Sequence, residues 1–215
     1  MSPGVPSQAP GAGSLVGARL AHPVLGIEVV ATELDEQGGA RLVLDYTVQP
    51  GRPRDTFRHV HRTWTEWFEI RTGRAGYELG GRALGAGPGD VVEMPAGVPH
   101  LHPWNAGSDV LTMRQVAVLD PPDPQAIRAV AHGFATLYGL AAEGRCDAAG
   151  QPSLLQAAAT IRTFHRHGIY LASPPAPVQR LLFGALALVG RAAGVRPTYD
   201  RFVARLAAGA VGPVA

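Results

Sequence analysis

His59-Val60-His61, then Glu66 and Gly73, then, beyond a glycine-rich interval, Gly89-Asp90-Val91-Val92-Glu93-Met94-Pro95-Ala96-Gly97-Val98-Pro99-His100, form the stretch that decides how this chain is read. Residues i and i+2 of a β-strand face the same side. His59 and His61 therefore aim two imidazoles at one point, where a metal ion takes nitrogen ligands at about 2.1 Å. Glu66 lies across a turn and opens the next strand, so its carboxylate can complete the same face. His100 arrives from a second hairpin after the rigid turn Pro95-Ala96-Gly97. Three imidazoles and one carboxylate make a ligand set for one divalent transition ion: Fe, Mn, Ni, Co, Cu or Zn. Four protein ligands on a six-coordinate ion leave two positions for water, substrate or dioxygen.

Outward from this stretch the chain reads as short strands with tight turns. Residues 25–32 and 41–48 alternate with period two, with Gln37-Gly38-Gly39 turning between them. Trp67–Arg71, Gly76–Leu79, Asp90–Met94 and Asp109–Leu119 follow, and Gly80-Gly81 suits a two-residue hairpin. Many short strands at regular spacing predict an antiparallel sandwich or barrel. At Asp120-Pro121-Pro122-Asp123-Pro124 the pattern changes, with Asp123 a natural helix N-cap. Ile127, Val130, Ala131, Phe134, Leu137 and Tyr138 recur at helical spacing. Ser153-Leu154-Leu155-Gln156 reads as a capping box for a second helix ending near Gly168. A third helix follows Pro174-Pro175-Ala176-Pro177, and a shorter one spans Tyr199–Ala208. The expected organisation is a disordered tail over 1–20, an all-β body over 21–119 and a helical region over 120–215.

The two motifs resemble those of the cupin superfamily. The first, H-x-H-x(3,4)-E-x(6)-G, is matched by His59, His61, Glu66 and Gly73; the second, G-x(5)-P-x-G-x(2)-H-x(3)-N, by Gly89, Pro95, Gly97 and His100. Pro53 stands where the family usually has a glycine before the first histidine, and Leu101-His102-Pro103-Trp104 puts Asn105 one residue late. The resemblance covers roughly residues 25–119 and implies a jelly-roll β-barrel with a metal inside one end. It leaves dioxygenases, isomerases, decarboxylases and cyclases open, because one fold hosts many chemistries. The leading expectation is a metal-dependent enzyme acting on a small organic molecule. The competing one is a non-catalytic module that binds metal or a small ligand, with the helices mediating dimerisation or partner binding.

Several further residues are singled out. His102 shares the strand face of His100 and reads as a proton donor or acceptor beside the ion, or as a rim histidine bonded to water or Asn105. Phe68 and Ile70 share the face of Glu66 by alternation and are expected to line the pocket. Tyr77 or Glu78, and either Met113 with Gln115 or Thr112 with Arg114, are pocket candidates from neighbouring strands. Trp64, Trp67 and Trp104 are expected to pack at the barrel mouth. His165-Arg166-His167 cannot share an ion, since helical residues two apart point about 200° apart; it reads as a solvated helix end.

All 19 basic residues are arginine, against 17 acids, for a net charge of +2. From Asp120 onward nine arginines and five acids form no basic recognition helix, so nucleic acid is not an expected partner. The single cysteine, Cys146, excludes an intrachain disulfide and fits a reducing cytoplasm. No apolar run reaches the roughly 18 residues that span a bilayer. Residues 178–191 are apolar almost all round, so that helix is expected to be buried against the barrel or in a homodimer.

Overall fold

The computed structural model describes residues 16–35 and 37–207. The expected tail at residues 1–15, and Ala208 at the end of the fourth helix, lie outside them. Strands β1 (Arg19–His22), β2 (Ile27–Leu34), β3 (Arg41–Val48), β5 (Trp64–Thr72), β8 (Val91–Met94) and β10 (Leu111–Leu119) build a six-stranded sheet in the order β1-β2-β3-β10-β5-β8. A five-stranded sheet, in the order β11-β4-β9-β6-β7, contains β4 (His59–His61), β6 (Ala75–Leu79), β7 (Arg82–Ala86), β9 (His100–Asn105) and β11 (Ile169–Leu171). All pairings are antiparallel. The tail expected through residue 20 gives way to a strand at Arg19, where β1 pairs with β2.

Alternation places the core between the two sheets. Along β10, Leu111, Met113, Gln115, Ala117 and Leu119 are buried while Thr112 and Arg114 are not. This settles the face of the last strand. Arg114 makes two 2.7 Å bonds to Asp45 on the outer side, and Thr112 meets the Thr72 hydroxyl at 2.8 Å. Gly73 takes φ 78°, and a Cβ there would stand 2.8 Å from the Val110 carbonyl oxygen. The motif glycine thus permits a left-handed turn and a close backbone approach.

Helix α1 (Pro124–Ala142) starts as its sequence predicts, with the Asp123 carboxylate accepting from the Gln125 and Ala126 N–H groups. Helix α2 (Leu154–His165) is capped by Ser153 Oγ, which accepts from Gln156 N–H. The reciprocal half of the expected capping box does not form, because the Gln156 amide is turned elsewhere: its oxygen accepts from the Tyr199 hydroxyl at 3.4 Å and its nitrogen donates to the Arg196 carbonyl at 3.0 Å. Helices α3 (Ala176–Ala192) and α4 (Asp200–Ala207) follow.

The helices are not a detached appendage. β11, between α2 and α3, pairs with β4 through Ile169–His61, Tyr170–Val60 and Leu171–His59. Its three residues carried no recognisable signal, being a strand too short to show a period. Of α3, expected to be buried against the barrel or in a homodimer, one face only is covered within the chain: Gln179, Phe183 and Gly190 are buried, with Phe183 packed on Ala158 and Ile161 of α2, but Leu181 and Leu188 are 78% and 67% exposed. No helix among the described residues is long and apolar enough to cross a membrane.

Candidate metal centre

The two sheets bring the ligand candidates together from opposite sides. β4 supplies His59 and His61, β9 supplies His100 and His102, and β5 supplies Glu66. Donor atoms from all five lie within 4.8 Å of one another. Pairing of His59 with His100 aligns β4 and β9. Gly97, at φ 80°, donates its N–H to the His61 carbonyl at 2.7 Å and ties the second motif's turn to the first motif's strand.

The hydrogen bonds around the rings fix what each nitrogen can do. His59 Nδ1 and His100 Nδ1 lie 2.8 Å from the carbonyls of Phe57 and Val98. A carbonyl only accepts, so each Nδ1 carries the proton and each Nε2 keeps its lone pair. His61 Nδ1 makes a longer 3.4 Å contact with the Trp64 carbonyl. Yet His61 Nε2 stands 3.2 Å from Nε2 of both His59 and His100. Lone pairs facing one another at that range repel unless a cation lies between them. Two nitrogens at right angles, each about 2.1 Å from one ion, stand about 3.0 Å apart. The donor set therefore fits a divalent transition ion.

Glu66, 2% exposed, supplies the only buried negative charge at the cluster. Its Oε2 lies 3.3 Å from His61 Nε2, 3.6 Å from His100 Nε2 and 2.8 Å from His102 Nε2. Its Oε1 accepts from Gln115 Nε2 at 2.6 Å, and the Gln115 oxygen in turn accepts from the Tyr46 hydroxyl at 2.7 Å. Gln115 sits opposite Leu44 and Phe68 on its two neighbouring strands, diagonal to both Tyr46 and Glu66. Burial favours the protonated form of Glu66, but the charges and hydrogen bonds of His102 and His61 outweigh it and hold the carboxyl well below its usual range. Burial pushes His100 down to about 4 and His59 well down as well, with the other histidines adding to both shifts. Those rings are neutral at pH 7, as ligands must be. His102 moves the other way. Burial would lower it, but the Glu66 carboxylate and its hydrogen bond raise it.

The cluster opens onto a cavity of about 550 Å³ whose walls come from both halves of the chain. Phe68, Met113 and Gln115 line it, as do Leu101, Trp64 and Trp104. Ile70 and Tyr77 do not. Ile70 shares the face of Glu66, but four residues along a strand carry it about 13 Å away, where it is fully enclosed in the core. Tyr77 packs partly buried against that core, and its neighbour Glu78 is tied to Arg58. His102 is not bonded to Asn105, whose amide instead donates to the carbonyls of Val48 and Asp109. Trp67, half-buried, alternates to the outer face.

One role and one set of residues escaped the sequence reading. Gln115 is a pocket candidate, but its bond to Glu66 is not foreseen, although it is the only polar side chain on the buried face of β10. Val130, Phe134, Tyr138 and Phe164 line the cavity from α1 and α2, and nothing in their helical spacing says which surface they cover. His165 and His167 point apart as expected but are not simply solvated. His165 meets Gln179 Oε1 at 3.1 Å and stacks on Tyr170, whereas His167 meets Asp123 at 3.0 Å.

Comparison with known proteins places the barrel. Residues 44–118 match the family model of the cupin domain, Cupin_2. No curated protein matches the chain significantly. Among solved structures it is similar to the cupin domain of Schizosaccharomyces pombe Cnp3, with 12% identity over 44% of this chain and 66% of that one and a TM-score of 0.39. It thus spans just under two thirds of that domain. It is also similar to a predicted oxalate decarboxylase of Thermotoga maritima, with 24% identity over 43% and 80% of the two chains and a TM-score of 0.39. A third is a putative sugar phosphate isomerase of Acidithiobacillus ferrooxidans, with 17% identity over 42% and 59% and a TM-score of 0.35. Residues 44–118, which hold all five clustered side chains, therefore form a cupin domain, in a chain whose helices lie beyond the matched region.

Proposed function

We propose that the protein is a cytoplasmic metal-dependent enzyme that acts on a small organic molecule held between the barrel and the helices. The observation that carries this reading is the meeting of three lone-pair-bearing Nε2 atoms and one carboxylate beside a 550 Å³ cavity. His59, His61 and His100 hold the ion through Nε2, and Glu66 holds it through Oε2. The bound ion supplies Lewis acidity, or a site that orders dioxygen with the substrate. His102 serves as the proton carrier. Glu66 accepts from its Nε2, while its Nδ1 has no hydrogen-bond partner among the described residues and the ring lines the cavity. A ring with one nitrogen held by a carboxylate and the other free to meet substrate can exchange a proton at Nδ1. The apolar walls exclude water from the reacting molecule.

Metal analysis of purified protein, followed by assay of chelated and reloaded samples, tests the proposal. Turnover should vanish with chelator and return with one metal. Oxygen uptake during turnover assigns a dioxygenase, and its absence leaves isomerase, decarboxylase or cyclase chemistry. Purified protein that takes up no divalent metal defeats the proposal.

The proposal includes a homodimer formed through α3. Val178, Leu181, Leu182, Leu188 and Val189 are exposed at helical spacing and form an apolar stripe. Light scattering should give twice the 22.5 kDa chain mass, and a Leu181→Asp, Leu188→Asp variant should give the chain mass itself.

A further inference from the structure

Trp104 stands at the mouth of the cavity, half-buried, because the strands hold it there. It is the last residue of the Leu101-His102-Pro103-Trp104 insert, and the pairing of β6 with β9 shifts register between Gly76 and Glu78 to accommodate it. Gly76 pairs with Trp104 directly, and a Cβ on Gly76 would stand 2.6 Å from Trp104 Cε2 and 2.9 Å from its Nε1. The indole thus occupies the space that the glycine leaves empty, as cross-strand neighbours on one face of a sheet do. Arg54 Cζ lies 4.6 Å from the centroid of this ring.

Arg54 belongs to a strap, residues 50–56, that joins β3 to β4. Arg52, Pro53, Arg54, Asp55 and Thr56 line the cavity and are also exposed, so the strap lies between the cavity and solvent. Its two ends are fixed. The Gln49 N–H donates to the Gly26 carbonyl at 2.9 Å, and the Arg58 carbonyl accepts from the Ala172 N–H at 3.0 Å while its guanidinium pairs with Glu78. Phe57 packs against the core with its ring 5.2 Å from that of His59. Between these anchors the strap bonds only to its own end: Asp55 accepts from the Phe57 N–H and Thr56 from the Arg58 N–H. Among the described residues, residues 50–56 make no other hydrogen bond and no ion pair. Gly51, at φ 69° with nothing within 4 Å of a Cβ there, supplies a hinge beside the first anchor. What touches the body is the Arg52 stem, against Gly26, and the Arg54 guanidinium, against Trp104.

We propose that residues 50–56 are a gate over the metal cavity and that Arg54 resting on Trp104 is its latch. The post is rigid and the strap is not, so the strap is the part that moves. An exposed cation–π contact is weak, which lets the gate open without disturbing the barrel. Opening carries Arg52, Arg54 and Asp55 away from the mouth while Gln49 and Phe57 stay in place. This is a regulation of the site proposed above and rests on that reading only in taking the cavity as the place a ligand must reach.

Tryptic cleavage and metal stripping test it. Trypsin can cut after Arg54 when the strap lifts from the body, so the rate of that cut follows the open population. In Trp104→Leu the cut after Arg54, followed by mass spectrometry, should be about two- to fivefold faster, the change expected from losing an exposed cation–π contact. The cut after Arg58, beyond the strap, should keep its rate. Loss of metal from the loaded protein to excess chelator should speed by a similar factor in Trp104→Leu and in Arg54→Ala, with equilibrium metal affinity unchanged. It should speed no further when the two are combined, and Arg54→Lys, which keeps a cation for the ring, should stay near the parent. An unchanged cut after Arg54, an equal acceleration of the cut after Arg58, or stripping effects that multiply in the double variant overturns the inference. A chain that takes up no metal defeats the functional proposal, and the tryptic cuts then judge the gate by themselves.

Discussion

Gln179 in the helical half and the histidines of the barrel are equally buried, but they spend their polar atoms differently. Gln179, 1% exposed, uses its whole amide on the scaffold: its oxygen accepts from the Leu171 N–H and meets His165 Nε2, and its nitrogen donates to the carbonyls of Leu171 and Pro174. Thr136 likewise accepts from the Tyr199 N–H, and Gln156 donates to the Arg196 carbonyl. His59 and His100 spend one nitrogen each on a carbonyl and leave the other facing its neighbours across 3.2 Å. Burial of a polar group therefore does not mark a site. A site is marked where buried polar atoms are aimed at one another with nothing of their own to bond.

The largest effect should come from removing those aimed atoms. A His59→Ala, His61→Ala variant should fall from about one metal per chain to nearly none by mass spectrometry of the protein-bound metal, while its strands remain by circular dichroism. Equal metal in variant and parent would erase the contrast with Gln179. Gln179→Leu should do the reverse. It strands the N–H and carbonyl of Leu171 and the carbonyl of Pro174, costing at least about 3 kcal/mol at the lower bound of 1–3 kcal/mol for each buried group. Thermal melting should show a Tm lower by roughly 10 °C, with metal stoichiometry unchanged. Tyr46→Phe should lie between the two. Without the hydroxyl the Gln115 amide loses the partner that orients it toward Glu66. Metal affinity should drop about tenfold, as for other groups that hold a ligand in place, and chelator competition would measure it.

The smallest effect should be a pH dependence from His22. Burial holds its pKa below the ordinary value of 6.5. The neutral ring is thus favoured in the folded protein, and its contribution to stability is complete above about pH 6.5. As pH falls below that value the unfolded chain takes up the proton first, and the contribution is lost as pH passes the lowered folded pKa. Urea midpoints of parent and His22→Gln, compared between pH 7.5 and 5, should converge as pH falls. Midpoints that keep a constant difference would show that folding does not shift the His22 pKa.

The barrel was legible because its evidence is local and periodic. Alternation in residues 41–48 and 111–119, the glycine pair at 80–81 and the histidine spacing each follow from neighbouring residues. The same logic placed His59, His61, Glu66 and His100, and it located Asp123 as a cap. It failed where distance along the strand mattered more than face, as at Ile70. It also failed where three residues of β11 pair with a strand more than a hundred positions earlier. The cavity's helical wall was hidden for a related reason. Periodicity tells that Phe134 and Tyr138 face inward, but only tertiary packing tells what they face.

β11 bears on how far this centre could be moved as a unit. β4, the strand of His59 and His61, meets β9 through the single pair His59–His100 but meets β11 through three pairs. A graft or truncation ending at residue 119 would keep every ligand and discard the strand that holds two of them straight. The freed edge of β4 would also expose backbone N–H and carbonyl groups to pairing with other chains. The smallest portable form of the centre thus runs through Leu171. A designer who trusts the motif boundaries would inherit an aggregation-prone barrel with a loosened ion.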